Sequence, residues 1–398
     1  MNSVELFTGA GGLALGVAEA GFSHSMVVEW DDQAYGTLVA NQSGGIGHLA
    51  NWRIVHDDVR TVSFEGVPRD IDLVAGGPPC QPFSIGGKHR GPGDHRDMWA
   101  GAIRAVSELK PRAFLFENVK GLVRKAFADY LSYVLLHLEW PNMAPRKDEP
   151  WQEHLVRLRR HHASQGLGNQ GLRYKVTSHQ VNAADHGAPQ KRERVILIGF
   201  RSDLDISWDF PSPTHSRERL LWDKWGTGDY WERHKVPRNM RGQPGPNDAR
   251  LIERLQARGM SPHSLPWVTV RDAIVDLPRP TRSEKGGISC HVFQPGARVY
   301  VGHTGSPPDE PAKALKAGDH GVPGGENMIA HPNGKVRYFT VRESARLQGF
   351  PDEYRFPWAW TVAMRQLGNA VPVQLAKALA TSIADALGSQ DSRERQAA

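Results

Sequence analysis

The 398-residue chain has only two cysteines, Cys80 and Cys290. Two thiols exclude a disulfide framework, and without a CxxC pair or a Cys/His cluster no metal site is expected. Long apolar runs are missing as well. A membrane span needs about 18 consecutive apolar residues, whereas the greasiest stretch here is VILIGF at residues 195–200. The opening MNSVELF lacks the basic residues that begin a secretory signal, and no internal repeat is visible. These absences predict a cytoplasmic protein with reduced thiols and no membrane partner. With 39% hydrophobic and 23% charged residues, disorder throughout is excluded, and the length suits one large domain plus a smaller one. A net charge of +6 favours a polyanionic partner without naming it.

Short apolar runs at residues 4–7, 26–29, 71–75, 113–116, 174–181 and 195–200 alternate with helical patterns such as 13–20, closed by Gly21, and 126–138. That alternation predicts a doubly wound α/β sheet. From 206 to 336 the texture changes to frequent Gly and Pro, scattered Trp and His, and no sustained helical period. The expected organisation is a catalytic and cofactor-binding domain at 1–205, a small loop-rich domain at 206–336, a hinge segment at 337–364 and a C-terminal helix at 365–390 that returns to the first domain. Residues 139–170 interrupt the α/β pattern, and their Arg157, Arg159 and Arg160 read first as a solvated helix face.

The segment ELFTGAGGLALG sets Phe7, Gly9, Ala10, Gly11 and Gly12 where a strand turns into a helix. Glycines there let the backbone approach a ligand without Cβ clashes, as nucleotide-like cofactors require. Glu29 ends the next apolar strand, suitably placed to take the two hydroxyls of a ribose. Trp30 beside it suits an adenine face, and Asp58 in HDDVR suits an adenine amino group. The same glycines also satisfy G-x-G-x-x-A, so a nicotinamide dinucleotide stays open at this point.

The strand at 71–75 runs into GGPPCQPFS, which presents Cys80 among Pro78, Pro79 and Pro82. Prolines cannot continue a sheet or helix, so they rigidify a loop that aims the thiol. The strand at 113–116 ends in Glu117, which brings a carboxyl to the same rim. A thiol and a carboxyl with no evident imidazole base do not suit a cysteine protease. They suit cytosine chemistry. Thiolate attack at C6 makes C5 nucleophilic towards a sulfonium methyl, and an acid at N3 assists the attack.

With FTGAGG, EWD, GGPPCQPFS, FENV, QKRERV and RQLGNAVP in this order, the chain resembles the bacterial DNA cytosine-C5 methyltransferases. The resemblance implies S-adenosylmethionine as methyl donor, held by Phe7, Gly9, Ala10, Gly11, Gly12, Glu29, Trp30 and Asp58, which resolves the dinucleotide alternative. It implies Cys80 as nucleophile, preceded by Pro79, and Glu117 at cytosine N3 and the amino group. Arg192 and Arg194 are then neighbours of the cytosine O2, a phosphate and the catalytic acid. Asn369 and Val371 match the motif that completes the cofactor pocket. Trp99 aligns where small bacterial members often carry leucine, so its cofactor contact is the least secure of the set. The substrate implied is double-stranded DNA, with the target base flipped into the pocket and the region 206–336 as target-recognition domain. Its Trp222, Trp225, Tyr230 and Trp231, interleaved with Lys224, Arg233, His234 and Lys235, read equally as a groove-binding surface or as an aromatic core. Family relatives acting on transfer RNA carry Cys-Phe-Thr in this region, where this chain has Cys290-His291. The expected setting is a restriction–modification system, with the enzyme a monomer at the nucleoid and any cognate endonuclease acting separately.

Overall fold

Five residues with a nearly continuous buried pattern form β1 (Asn2–Leu6), and a glycine turn leads from it into α1 (Gly12–Glu19). The computed structural model describes residues 1–79, 98–164, 171–284, 287–301, 303–318 and 325–397. After α1 come β2 (Ser23–Glu29), α2 (Asp32–Ser43), β3 (Ile54–His56), β4 (Leu73–Gly76), α3 (Trp99–Leu109), β5 (Ala113–Val119), α4 (Ala128–Glu139), α5 (Trp151–Ala163), β6 (Tyr174–Asn182), β7 (Gln190–Lys191) and β8 (Glu193–Arg201). Seven strands make one sheet in the order β3-β2-β1-β4-β5-β8-β6. The pairs from β3 to β5 are parallel and β8 runs antiparallel to β5. This is the α/β sheet expected from the alternation of runs.

Period-two alternation divides the strands between two faces. Val4, Leu6, Met26, Val28, Val74, Phe114 and Phe116 share a core cluster with Trp99, Ile103 and Val106 of α3 and Tyr130, Val134 and Leu138 of α4. Glu5, Val27, Ala75 and Leu115 occupy the other face in matching register. Glu5 is fully buried, neither carboxylate oxygen has a hydrogen-bond partner, and burial pushes its pKa well above the usual carboxylate range. Residues 151–163, inside the interruption, form α5. There Arg157 is paired with Glu149 at 2.7 Å and Arg159 with Asp129 at 2.9 Å, in keeping with a solvated, ion-paired helix.

The chain divides into two compact units. The sheet unit comprises Met1–Val181, Glu193–Pro211 and Ala376–Ala398, and the second comprises Asn182–Arg192 and Ser212–Leu375. The second unit contains short pieces: β9 (His215–Ser216), α6 (Arg217–Leu221), α7 (Asp229–Arg233), α8 (Pro246–Arg258), β10 (Leu265–Pro266), α9 (Val270–Ile274), β11 (Ala312–Lys313), β12 (Met328–Ala330), β13 (Val336–Tyr338), α10 (Val341–Leu347) and α11 (Trp360–Asn369). α12 (Val373–Ala397) then closes the chain. Three details differ from the sequence reading. The second unit takes in 182–192 and runs to Leu375 rather than spanning 206–336, so the expected hinge at 337–364 lies within it. The loop-rich stretch contains a thirteen-residue helix, α8, which starts at Pro246, is capped by Gly259 at φ 63°, and buries only Ile252 and Leu255. Two buried positions on a helix of mostly polar residues give too thin a stripe to register as a period. The helix expected at 365–390 is two helices, because Pro372 has no N–H to continue α11. Of the aromatic and basic residues at 222–235, Lys224, Tyr230 and Trp231 turn inward, whereas Arg233 and Lys235 are exposed. Tyr230 and Trp231 pack with Leu220 and Val236, and the Tyr230 hydroxyl meets Thr269 Oγ1 and Asp309 Oδ1 at 3.0 Å each. Lys224 is buried with them and bonds Glu310 at 2.9 Å.

Candidate active site

At the C-terminal end of β1 the backbone turns through left-handed conformations at Phe7 (φ 54°), Gly9 (φ 57°) and Gly11 (φ 88°). Phe7 carries a side chain in a region that favours glycine, strain of the kind that gathers around ligand sites. A Cβ on Gly9 would meet nothing within 4 Å, so that side of the turn is open. Ala10 and Gly12 are buried in the same turn. Glu29, at the end of β2 and 8% exposed, closes the loop: Oε2 accepts from Gly9 N at 2.6 Å and Oε1 from Asp31 N at 2.8 Å. Burial raises its pKa, and those backbone donors oppose the shift. Each oxygen keeps acceptor capacity for a further hydroxyl. Trp30, the next residue, is 58% exposed. Asp58 follows β3 and is engaged by the Arg60 guanidinium, which holds its carboxyl below the usual range.

The second half of the site lies at the ends of β4 and β5. A Cβ on Gly76 would come within 2.6 Å of the Leu6 carbonyl oxygen, so only glycine lets β4 end so close to β1, and one on Gly77 would press on Glu117 Oε2 at 3.3 Å. The Pro78 carbonyl accepts from Asn118 Nδ2 at 3.1 Å, which ties the turn to β5 beside Glu117. Pro79 is exposed at the end of the described stretch, and Cys80 lies outside the described residues. Glu117 is 9% exposed. Because β8 runs antiparallel to β5, its first residues return to the rim where β5 ends, with Arg194 opposite Val119, diagonal to Glu117. Arg194 Nε rests against Glu117 Oε1 as an ion pair lacking the alignment of a hydrogen bond.

The other expected residues are Arg192, Trp99, Asn369 and Val371. Arg192 is 1% exposed within the second unit, where its guanidinium donates to the carbonyls of Leu315 at 3.0 Å and Gly368 at 2.6 Å. Its neighbour Gln190 accepts from Leu315 N at 2.9 Å. Trp99 is 1% exposed and packs edge-on to Phe116 with centroids 5.8 Å apart. Asn369 is exposed and Val371 buried, both in the second unit. Cys290 is a half-buried thiol near the Phe356 carbonyl, also in the second unit. Two residues with a part in the site were not singled out from the sequence. Asn118 had a signal, its adjacency to Glu117, whereas Arg60 had only its two-residue spacing from Asp58.

The sequence model of the C-5 cytosine-specific DNA methylases matches residues 1–140 and 161–385. The chain belongs to that family. Among similar proteins, the type II methyltransferase M.PspPI of Psychrobacter sp. (strain TA137) is 32% identical over 385 residues, covering 96% of this chain and 78% of its own. The type II methyltransferase M.NgoMIV of Neisseria gonorrhoeae is 29% identical over 392 residues, covering 97% and 98%. A solved chain encoded within an Escherichia coli prophage superposes with a TM-score of 0.58 at 23% identity over 98% of this chain and 99% of its own, a likeness of fold. The methylase is thus a DNA (cytosine-5-)-methyltransferase. Its family match skips 141–160, where the interruption expected from the sequence lies. Among the described residues no cluster of metal-ligating side chains is present, and no helix is long and apolar enough to cross a membrane.

Proposed function

We propose that the methylase takes S-adenosylmethionine as methyl donor, receives a cytosine flipped out of double-stranded DNA, and uses Cys80 as nucleophile. The observation that carries this reading is the convergence of Glu117, Arg194 and the Pro78-Pro79 turn at one rim of the sheet. The residues around the glycine turn fit the donor: Gly9 has an open side, Glu29 offers two buried acceptor oxygens, and Trp30 exposes an indole. When bound, the donor supplies an electrophilic methyl carbon.

The chain's residues do the rest. The Cys80 thiolate adds to C6, and the electron pair displaced from the C5–C6 bond makes C5 the nucleophile that takes the methyl group. Glu117 supplies the hydrogen at N3 that draws electrons from C6, and it accepts from the exocyclic amino group. Arg194 braces the Glu117 carboxyl. Loss of the C5 proton to solvent then expels Cys80 as thiolate, and return of the N3 hydrogen to Glu117 restores the aromatic ring. Pro79 limits the conformations from which the thiol approaches. Arg192 ties Leu315 to Gly368 near the C-terminal end of α11 within the second unit. Residues 206–336 read the target sequence. The names of the type II relatives favour a restriction–modification system. Within it we infer a monomeric enzyme in the cytoplasm, held at the nucleoid by DNA, with a separately acting endonuclease.

Expression in a host without cytosine methylation, followed by sequencing that distinguishes 5-methylcytosine, tests the reading. The expected result is methylation at C5 within one short motif. Methylation at adenine or at cytosine N4, or none from folded enzyme, would overturn it.

A further inference from the structure

Arg60 occupies the two groups that an adenine would need. Asp58 Oδ1 accepts from Arg60 Nε at 3.1 Å and from the Arg60 backbone N–H at 2.9 Å, and Oδ2 accepts from Nε at 2.8 Å and Nη2 at 2.5 Å. The guanidinium carbon also lies 5.4 Å from the centroid of the Trp30 ring. Trp30 is anchored through its backbone: its carbonyl accepts from His56 Nε2 at 2.8 Å, and the His56 ring is stacked on Tyr35 at 4.5 Å. The Arg60 side chain, 41% exposed, has solvent to turn into.

A purine stacked on that indole face, with a guanidinium beyond it, needs two contact distances of about 3.5 Å each, roughly 7 Å in all. The gap is 5.4 Å. The guanidinium is also a donor only, as is the exocyclic amino group of adenine, so both compete for the oxygens of Asp58. We propose that Arg60 is a self-contact in the adenine subsite: in the free enzyme it covers Trp30 and pairs with Asp58, and it gives up both when the cofactor's adenine arrives. This rests on the cofactor reading above and adds that affinity for the cofactor is set partly by an exchange within the chain. Cofactor binding breaks an exposed ion pair and a cation–π contact. Removing Arg60 should therefore tighten binding roughly three- to tenfold.

The test is calorimetric titration of the full-length enzyme with S-adenosylhomocysteine, in native, Arg60→Ala and Arg60→Lys forms, at low and high salt. Arg60→Ala should bind several-fold more tightly than native, with Arg60→Lys between them. Native affinity should improve with salt as the ion pair is screened, and that of Arg60→Ala should not. Weaker or unchanged binding by Arg60→Ala overturns the proposal, since Arg60 would then hold the ligand or stand clear of it. Glu29→Ala serves as the control for the reading underneath. Failure of the native enzyme to bind S-adenosylhomocysteine at all removes that reading, whereas normal native binding lost in Glu29→Ala, with no gain in Arg60→Ala, removes only the exchange.

Discussion

Replacing Glu5 by glutamine is expected to stabilise the sheet unit at neutral pH and to remove a pH dependence. The Glu5 carboxyl is fully buried on β1 with no partner for either oxygen, and burial raises its pKa well above the ordinary range. The folded chain therefore keeps this proton at pH values where the unfolded chain has released it, and stability falls as pH rises through that window. The slope is about 1.4 kcal/mol per pH unit. From pH 5.5 to 7.5 the native protein should lose stability, at most about 3 kcal/mol at that slope, that the glutamine variant keeps. Urea unfolding of both proteins at the two pH values measures it. The difference between the two pH responses cancels other groups that titrate on folding, such as His24, whose burial lowers its pKa to about 4. Parallel pH responses would refute the reasoning, because Glu5 would then ionise in the folded state as readily as in the unfolded one.

Glu29→Ala removes the acceptors of Gly9 N and Asp31 N, each worth about 1–3 kcal/mol when left buried and unpaired. It should lower stability measurably and abolish S-adenosylhomocysteine binding while sparing DNA affinity, and equal loss of both affinities contradicts the division of labour. Gly76→Ala would drive a Cβ to 2.6 Å from the Leu6 carbonyl in the neighbouring strand, and backbone cannot yield there cheaply. A loss of roughly 1–3 kcal/mol in thermal or urea unfolding is expected, and an unchanged midpoint counts against the close packing of β1 on β4. Exchanging residues 206–336 for those of a relative with a different target should move methylation to that relative's site, and an active chimera that keeps the original motif shows that the reader lies elsewhere.

The strands and the glycine turn were legible because both are local. Short apolar runs bounded by breakers define β1, β2, β5 and β8, and the end of β4, where a Cβ would meet the Leu6 carbonyl oxygen at 2.6 Å, leaves glycine as its trace at Gly76. Glu29 and Glu117 were legible because each ends a run at the rim where such sheets set their sites. The two arginines of QKRER illustrate the limit. Period-two alternation puts Arg192 and Arg194 on one side of an extended segment, yet the strand breaks between β7 and β8. Arg192 turns to carbonyls at 315 and 368, which are distant in sequence, and Arg194 turns to Glu117. Arg60 was equally hidden, since its place over Trp30 joins residues thirty positions apart. Aromatic residues at 225–231 carried two readings because composition does not record direction, and packing turned Tyr230 and Trp231 inward.

The claim at the centre of the account is that Cys80 bonds to the base, and trapping that bond tests it most directly. A duplex carrying 5-fluorocytosine at the target position retains fluorine where the C5 proton should leave, so the thiol cannot be expelled after methyl transfer. Native enzyme with S-adenosylmethionine should give a denaturation-resistant adduct whose peptide mass maps to Cys80, dependent on the donor, and Cys80→Ser should give none because a hydroxyl is far less nucleophilic. An adduct mapping to Cys290, or near-native methylation by Cys80→Ser, would contradict the mechanism while leaving the family membership intact.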